Sequence, residues 1–550
     1  MAEYVDLETI KSWREEVNWE VETERLDFLR RLRPLIEKWK GQLTNLWKVF
    51  RPEEIKRLIS DSAKRLILAR YGDRQEEYQR FMAFVIQASE ISNESKLELD
   101  EVALLQRLTN SWYGSNIHIR SPWISRYLFD ICVKFDANYF DEEHRLEHFH
   151  MACKFASYDV VKKFLELGQD PNLLQRETGD SPLHLLASST HRDDETIELL
   201  LRNGADPNAV NLSGSTPLHK LCEFRSPNHI NLIQRFLVVC DEVGQRVHID
   251  ARDKEGQTPL YSALDYGQKE VVKLLLRRGA DPNQNHQNGT TPLHVICHCY
   301  HDDEFVRLLF EICDEMQLTV QLNTRDQWGN TPLQLAVASL SPEIVDVLLN
   351  RGADMSNCIF PTSIVTYLPK NSLLIMKMRV ASGALAVAEH LEAKGYRFSR
   401  SDALTIMKFF AKHDLFEKSS DLEKSMRDDR EFTKYAKQIT IVPSLSLYDL
   451  IHLRSEEEEE LLTYTDYFVF TDQLPSGNYK LKIPERHQEN CILHLCEKLS
   501  RGFFRRWVLD PFYELIHKRL PIECCEMVLK NLNNRDLCNI CLAAAVQTSS

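Results

Sequence analysis

Four cysteines crowd the end of this 550-residue chain: Cys524, Cys525, Cys538 and Cys541. The Cys538-x-x-Cys541 spacing suits two ligands of a zinc ion. The adjacent pair Cys524-Cys525 does not, because neighbouring side chains on a helix point about 100° apart. Buried small thiols explain the four better. His294-Val295-Ile296-Cys297-His298 sets two histidines one helical turn apart, with Cys299 and His301 nearby. A local hydrogen-bonding role for His294 is expected there, ahead of metal. His191-Arg192-Asp193 has the order of a kinase triplet but no other kinase part accompanies it, so it reads as a loop. The phosphate loop G-x-x-x-x-G-K-[ST], a strand-associated G-x-G-x-x-G, H-E-x-x-H and G-x-S-x-G are all absent. No catalytic set, cofactor site or metal site is therefore expected, and the chain reads as a non-enzyme.

Composition narrows the class further. Hydrophobic residues make up 43% and charged residues 27%, ordinary for a chain with substantial cores. With 18 Gly and 20 Pro it is neither collagen-like nor of low complexity. The formal charge of −14 supplies no basic field for nucleic acid and weakly disfavours anionic membranes. Fourteen cysteines are too dilute for a disulfide scaffold. The start, Met1-Ala2-Glu3-Tyr4-Val5-Asp6, has no basic region followed by an apolar run, and charge interrupts every apolar window before membrane-spanning length. A reduced intracellular setting, cytoplasmic or nuclear, is expected, with the sequons at Asn93, Asn211 and Asn288 unused.

The elements that would position any function show themselves as a repeat. Ser181-Pro182-Leu183-His184, Thr216-Pro217-Leu218-His219, Thr258-Pro259-Leu260-Tyr261, Thr291-Pro292-Leu293-His294 and Thr331-Pro332-Leu333-Gln334 vary one tetrapeptide, with prolines 35, 42, 33 and 40 residues apart. A second signature keeps pace: Gly168-Gln169-Asp170-Pro171-Asn172, Gly204-Ala205-Asp206-Pro207-Asn208, Gly279-Ala280-Asp281-Pro282-Asn283 and Gly352-Ala353-Asp354. Proline suits a helix start, the preceding Ser or Thr can cap it, and glycine suits a left-handed helix end. The pattern resembles the ankyrin repeat, with the stretch Gly256–Asn283 matching without a gap. It implies six repeats over 146–357, the first a capping unit and two stretched around Val239–His248 and Ile312–Gln321. An extra length there is expected to go into the second helix or its following loop.

The flanks read as helical. Leu26, Leu29, Leu32, Leu35 and Ile36, then Leu99, Val102, Leu104, Leu105 and Leu108, recur at helical spacing in residues 1–145, accompanied by Trp13, Trp19, Trp39 and Trp47. Core anchoring is the expected role of these tryptophans. In the connector 358–485, helices are expected over Leu373–Phe398 and Ser401–Phe416, the second capped by Ser401 with Asp402 in its first turn. The run Glu456–Glu460 reads as a solvated face, and Lys480, Lys482 and Pro484 as a polar connector.

The segment 486–550 carries Ile492, Leu493, Leu495, Leu499, Phe503, Phe504 and Trp507 at helical spacing, then Leu520-Pro521-Ile522-Glu523, Val528, Leu529, Leu532, Asp536, Leu537 and Ile540. Pro521 pre-sets a helix start, Glu523 suits its positive end, Val528, Leu529 and Leu532 fall one turn apart, and Asp536 can cap a second helix. This is similar to the start of an F-box. Behind ankyrin repeats it resembles the PRANC domain of poxvirus and parasitoid-wasp ankyrin proteins, whose chains also carry segments like Leu445–Leu450. Two departures are Cys524, where the family often has Leu, and an end at Ser550, before the last F-box helix would finish. The resemblance implies an all-α chain: an ankyrin-repeat solenoid flanked by an N-terminal helical domain and a C-terminal helical F-box-like domain. It further implies a target protein on the repeats, with the Skp adaptor and cullin of a ubiquitin ligase on Leu520, Pro521, Ile522, Glu523, Val528, Leu529, Leu532, Asp536, Leu537 and Ile540. Two other readings stand beside it. One is an interaction scaffold or steric inhibitor in which the C-terminal stripe is core. The other is a SOCS-box-type adaptor using elongin, to which Cys496 and Leu520-Pro521-Ile522 are loosely similar, although Ser500 and Glu523 depart from that box.

Overall fold

Apolar residues spaced three and four apart, with glycine or proline at the breaks, fold most of the described chain into helices. The computed structural model describes residues 7–37, 148–154, 158–189, 194–223, 229–298, 303–356, 374–416, 429–453, 455–472 and 482–547, with Met426 and scattered positions in 49–61. The chain divides into two compact units, residues 1–262 and 263–550. Among the described residues, no helix is long and apolar enough to cross a membrane.

In the first unit, α1 (Leu7–Glu15) and α2 (Glu22–Glu37) open the chain. Leu26, Phe28, Leu29 and Leu32 are buried, and Trp19 meets Phe28 and Phe50 edge-on with ring centroids 5.7 and 6.0 Å apart. Trp19, half-buried, thus has the expected role of a core anchor. Trp39, Trp47 and the Leu99–Leu108 periodicity lie outside the described residues. The Arg25 guanidinium donates to the buried Asp61 carboxylate at 2.6 Å. Paired helices follow: α3 (His148–Lys154) with α4 (Tyr158–Glu166), α5 (Pro182–Ala187) with α6 (Asp194–Arg202), and α7 (Pro217–Cys222) with α8 (His229–Glu242).

The helix α9 (Pro259–Asp265) straddles the division between the units. The second unit continues the pairing with α10 (Lys269–Arg277), α11 (Pro292–His298), α12 (Glu304–Glu315), α13 (Pro332–Ala338) and α14 (Pro342–Asn350). The second helices α6, α10 and α14 have 9 residues each, whereas α8 has 14 and α12 has 12. Part of the extra length of the two stretched repeats therefore goes into those helices.

After the repeats come α15 (Leu374–Ala393), α16 (Arg400–Lys412), α17 (Arg430–Ala436), a short antiparallel pair β1 (Thr440–Val442) and β2 (Leu445–Ser446), then α18 (Leu447–His452), α19 (Ser455–Leu461), α20 (Tyr464–Asp472) and α21 (Glu485–Leu515). The chain closes with α22 (Ile522–Lys530) and α23 (Asn534–Gln547). α15 packs against α14, α20 and α21, and α21 carries both α22 and α23. Phe504 on α21 meets Phe410 and Phe416 at 5.5 and 5.8 Å, closing this core.

Three local expectations are corrected. The cap of α16 is Ser399, not Ser401: the Asp402 N–H donates to the Ser399 hydroxyl, and the Ser399 N–H to the Asp402 carboxylate at 2.9 Å. The glutamate run is not wholly solvated, because Glu458 is buried and accepts from the Tyr467 hydroxyl. And α23 is capped by Asn533, whose Oδ1 accepts from the Asp536 N–H at 2.9 Å.

Candidate interaction surfaces

The repeat histidines act locally, as their motif position suggested. The Ser181 N–H donates to His184 Nδ1 at 3.1 Å, leaving His184 Nε2 to donate to the Ser215 carbonyl at 2.8 Å. His219 repeats this on Thr216 and the Gln257 carbonyl (3.0 Å), and His294 on Thr291 and the Asn330 carbonyl (3.2 Å). Each acceptor is the residue just before the next repeat's Thr-Pro start, so one imidazole closes its own helix and ties down its neighbour's. Burial, the largest influence, pushes the pKa of all three below the usual value, favouring the neutral ring this geometry needs. Cys299, His301 and the His191–Asp193 triplet lie outside the described residues.

A second ladder joins the loops. Asn172 Nδ2 donates to the Gly204 carbonyl at 2.9 Å while its Oδ1 accepts from the Asp206 N–H at 2.7 Å. Asn208 does the same with Arg246 and His248, and Asn283 with Thr319 and Gln321. The turn tips are tied by main-chain bonds, Leu212 N–H to the Thr178 carbonyl and Lys254 N–H to the Ser213 carbonyl. A Cβ at Gly214 would come within 2.7 Å of the Lys254 nitrogen, so glycine is required there by contact as well as by its positive φ. On this rigid frame stand exposed apolar side chains that the sequence reading missed: Leu174, Val210 and Leu212 in the first unit, and Trp328, 65% exposed, in the second. Their signal was a bulky residue in a turn that otherwise favours small polar ones.

At the C-terminal end the ten sequence-selected residues divide. Leu520, Pro521, Ile522, Glu523 and Val528 are exposed; Leu532, Asp536 and Ile540 are half-buried. Leu529 and Leu537 are buried, at 4% and 0% exposure, and face the core beneath α22 and α23. The expected single stripe of Val528, Leu529 and Leu532 is thus split, because α22 must bury one side on α21. Met527, 61% exposed, joins Val528 on the outward side and was not singled out. The pair of helices is set on α21 by Asn534, whose N–H donates to the Glu497 carboxylate at 2.6 Å and whose Nδ2 reaches the Glu497 carbonyl at 2.8 Å and the Ser500 hydroxyl at 2.9 Å. Arg501 adds bonds to Asn534 Oδ1 at 3.1 Å and to the Lys530 carbonyl at 3.0 Å.

The cysteines there behave as thiols. Cys538 Sγ donates to the Met407 carbonyl at 3.6 Å and Cys541 Sγ to the Trp507 carbonyl at 3.7 Å. Burial pushes their pKa up, to about 11 and about 12, which opposes the thiolate a metal requires. Among the described residues, no three His, Cys, Asp or Glu side chains are grouped to hold a metal ion.

The chain matches the family described as "Ankyrin repeats" in three overlapping stretches, residues 149–233, 185–286 and 278–357. Human inversin is 30% identical over 199 residues, 36% of this chain and 18% of that protein. The mouse B-cell lymphoma 3 protein homolog is 27% identical over 235 residues, 42% of this chain and 49% of that protein. A solved ankyrin repeat domain of Bcl-3 aligns with 40% of this chain and 94% of its own at 24% identity, with a TM-score of 0.34. The chain spans less than half the length of these two curated relatives. Residues 149–357 are therefore ankyrin repeats, an array that indicates protein–protein interaction.

Proposed function

We propose that the chain is a substrate-recognition subunit acting in the cytoplasm or nucleus. Its ankyrin repeats hold a target protein, and its C-terminal helix pair recruits the Skp adaptor of a cullin ubiquitin ligase. No bond is made by the chain itself. Holding the target beside the ligase raises the effective concentration of its lysines near the ubiquitin carrier. The observation that carries this reading is the exposure of Leu520, just before α22, and of Ile522, Met527 and Val528 on α22, in a helix pair that Asn534 and Arg501 fix to α21. Exposed apolar side chains gathered on a rigid element mark interaction sites.

A second reading keeps the target-binding array and drops the ligase. The burial of Leu529 and Leu537 favours it, since those two residues of the F-box-like pattern serve the chain's own core. The SOCS-type reading has less support, because Ser500, where that box wants an apolar residue, is buried within hydrogen bonds to Cys496 and Asn534.

The test is co-purification of the full chain with the Skp adaptor and, in parallel, with elongin. The control carries Leu520→Asp, Ile522→Asp and Val528→Asp, all exposed positions, and leaves Leu537 intact. Skp capture lost in this folded control is the expected result. Capture of elongin alone would transfer the role to the SOCS reading, and capture of neither would leave the scaffold.

A further inference from the structure

We propose that the cavity walled by α15, α19, α20 and α21 is a binding site for a small organic cation, an alkylammonium or guanidinium group on an apolar stem. The cavity measures about 330 Å³, the size of a small-ligand pocket. Its lining is mixed: Leu385, Ala388, Leu462, Leu499 and Phe503 give it an apolar part, with the ring of Tyr464 beside them, and charged side chains make up much of the rest. Gly502 borders it from the interior of a 31-residue helix. Glycine costs such a helix about 1 kcal/mol relative to alanine.

The charges on the lining do not balance. Arg506 clamps the Glu392 carboxylate with bonds of 2.8 and 2.9 Å. Lys498 donates to the carbonyls of Leu450 at 2.9 Å and Leu453 at 2.6 Å, and lies 3.7 Å from the Glu458 carboxylate, which also accepts from the Tyr467 hydroxyl. These two cations are committed to their own carboxylates. Glu389, at the mouth, is left over, with no hydrogen bond or ion pair among the described residues. Desolvation raises its pKa; His390 opposes this, and Asp466 and Glu392 add to it. A site with an apolar part, an aromatic ring and one carboxylate in excess over its cations fits an amine or guanidinium better than a neutral or anionic molecule. This inference is independent of ligase recruitment.

The test uses the full chain titrated with phenethylammonium, followed by saturation-transfer NMR and calorimetry, with 2-phenylethanol as the neutral counterpart. The amine binds and the alcohol binds at least about tenfold more weakly, as expected for loss of a charge-assisted contact. Glu389→Gln weakens the amine about tenfold or more, and Glu389→Lys abolishes its binding. Both changes are at an exposed position, so the fold is kept. A peptide arm, acetyl-Ala-Arg-Ala-amide, tells the source: binding of amine and peptide assigns the pocket to a side chain of a partner protein, and binding of the amine alone to a free small molecule. No amine binding, equal binding of the alcohol, or binding indifferent to Glu389 overturns the proposal.

Discussion

Asn534 holds Glu497 at both its carboxylate and its main-chain carbonyl, which fixes the start of α23 to the long α21, while Arg501 ties the end of α22 to the same helix. The Asn534 side chain is buried, and Arg501 occupies its remaining oxygen. Asn534→Ala removes the bonds to the Glu497 carbonyl, Ser500 and Arg501 while retaining the main-chain bond. The expected loss is about 2–3 kcal/mol, read as a lower denaturant midpoint with an unchanged slope. If the proposed adaptor surface depends on this anchoring, adaptor capture weakens in the same variant under conditions where it remains folded.

The split of the C-terminal apolar residues predicts opposite behaviour for neighbours. Leu537→Ala opens a cavity under α23 and costs about 2–5 kcal/mol. Val528→Ala and Ile522→Ala, on the outside, change stability by about 0.5 kcal/mol or less. Thermal melts of the three single variants check this. Equal losses at all three would mean that the outward face is covered in the folded chain.

The histidine ladder makes the repeats sensitive to acid. His184, His219 and His294 have folded pKa values below the ordinary value of 6.5, because burial disfavours the charged ring. The unfolded chain then binds more protons, so stability is full above about pH 6.5 and falls as the pH drops below it. Melting temperatures at pH 7.5 and 5.5 should show a clear fall. In the last repeat Gln334 stands in the histidine's place and closes the same local box, its Oε1 accepting from the Thr331 N–H at 2.8 Å. Replacing the three histidines with glutamine should therefore remove most of the fall, at the expense of some stability at neutral pH.

Two glycines with similar backbone angles should respond differently to alanine. Gly204, with φ of +88°, has nothing within 4 Å of an added Cβ, whereas Gly214, with φ of +78°, would press on the Lys254 main chain. Gly204→Ala pays only the left-handed conformation, about 1 kcal/mol. Gly214→Ala adds a clash between turn tips and should cost about twice that or more. Urea denaturation of both variants measures the difference.

The repeats were legible from residue types and spacing. Thr-Pro-Leu-His and Gly-Ala-Asp-Pro-Asn each encode a local event, a helix start or a loop, and local events need only neighbouring residues. The stretched repeats were legible for the same reason, since added residues between fixed motifs must lengthen something. The second role of each motif residue, Nε2 of His184 on Ser215 or Asn172 on Gly204, lies 31 and 32 residues away and is visible only once the helices stack.

Tertiary structure alone decided which side of a residue counts. Val528 and Leu529 are adjacent and equally apolar, but α21 covers one and leaves the other in solvent. Glu458 sits among five glutamates that look alike in sequence, and only the approach of Tyr467 and Lys498 buries it. Glu389 differs from Glu392 in the same way, because Arg506, 114 residues beyond, reaches one carboxylate and not the other. Periodicity fixes which residues share a helical face; which faces meet, and which charges find partners, depends on contacts between segments far apart in the chain.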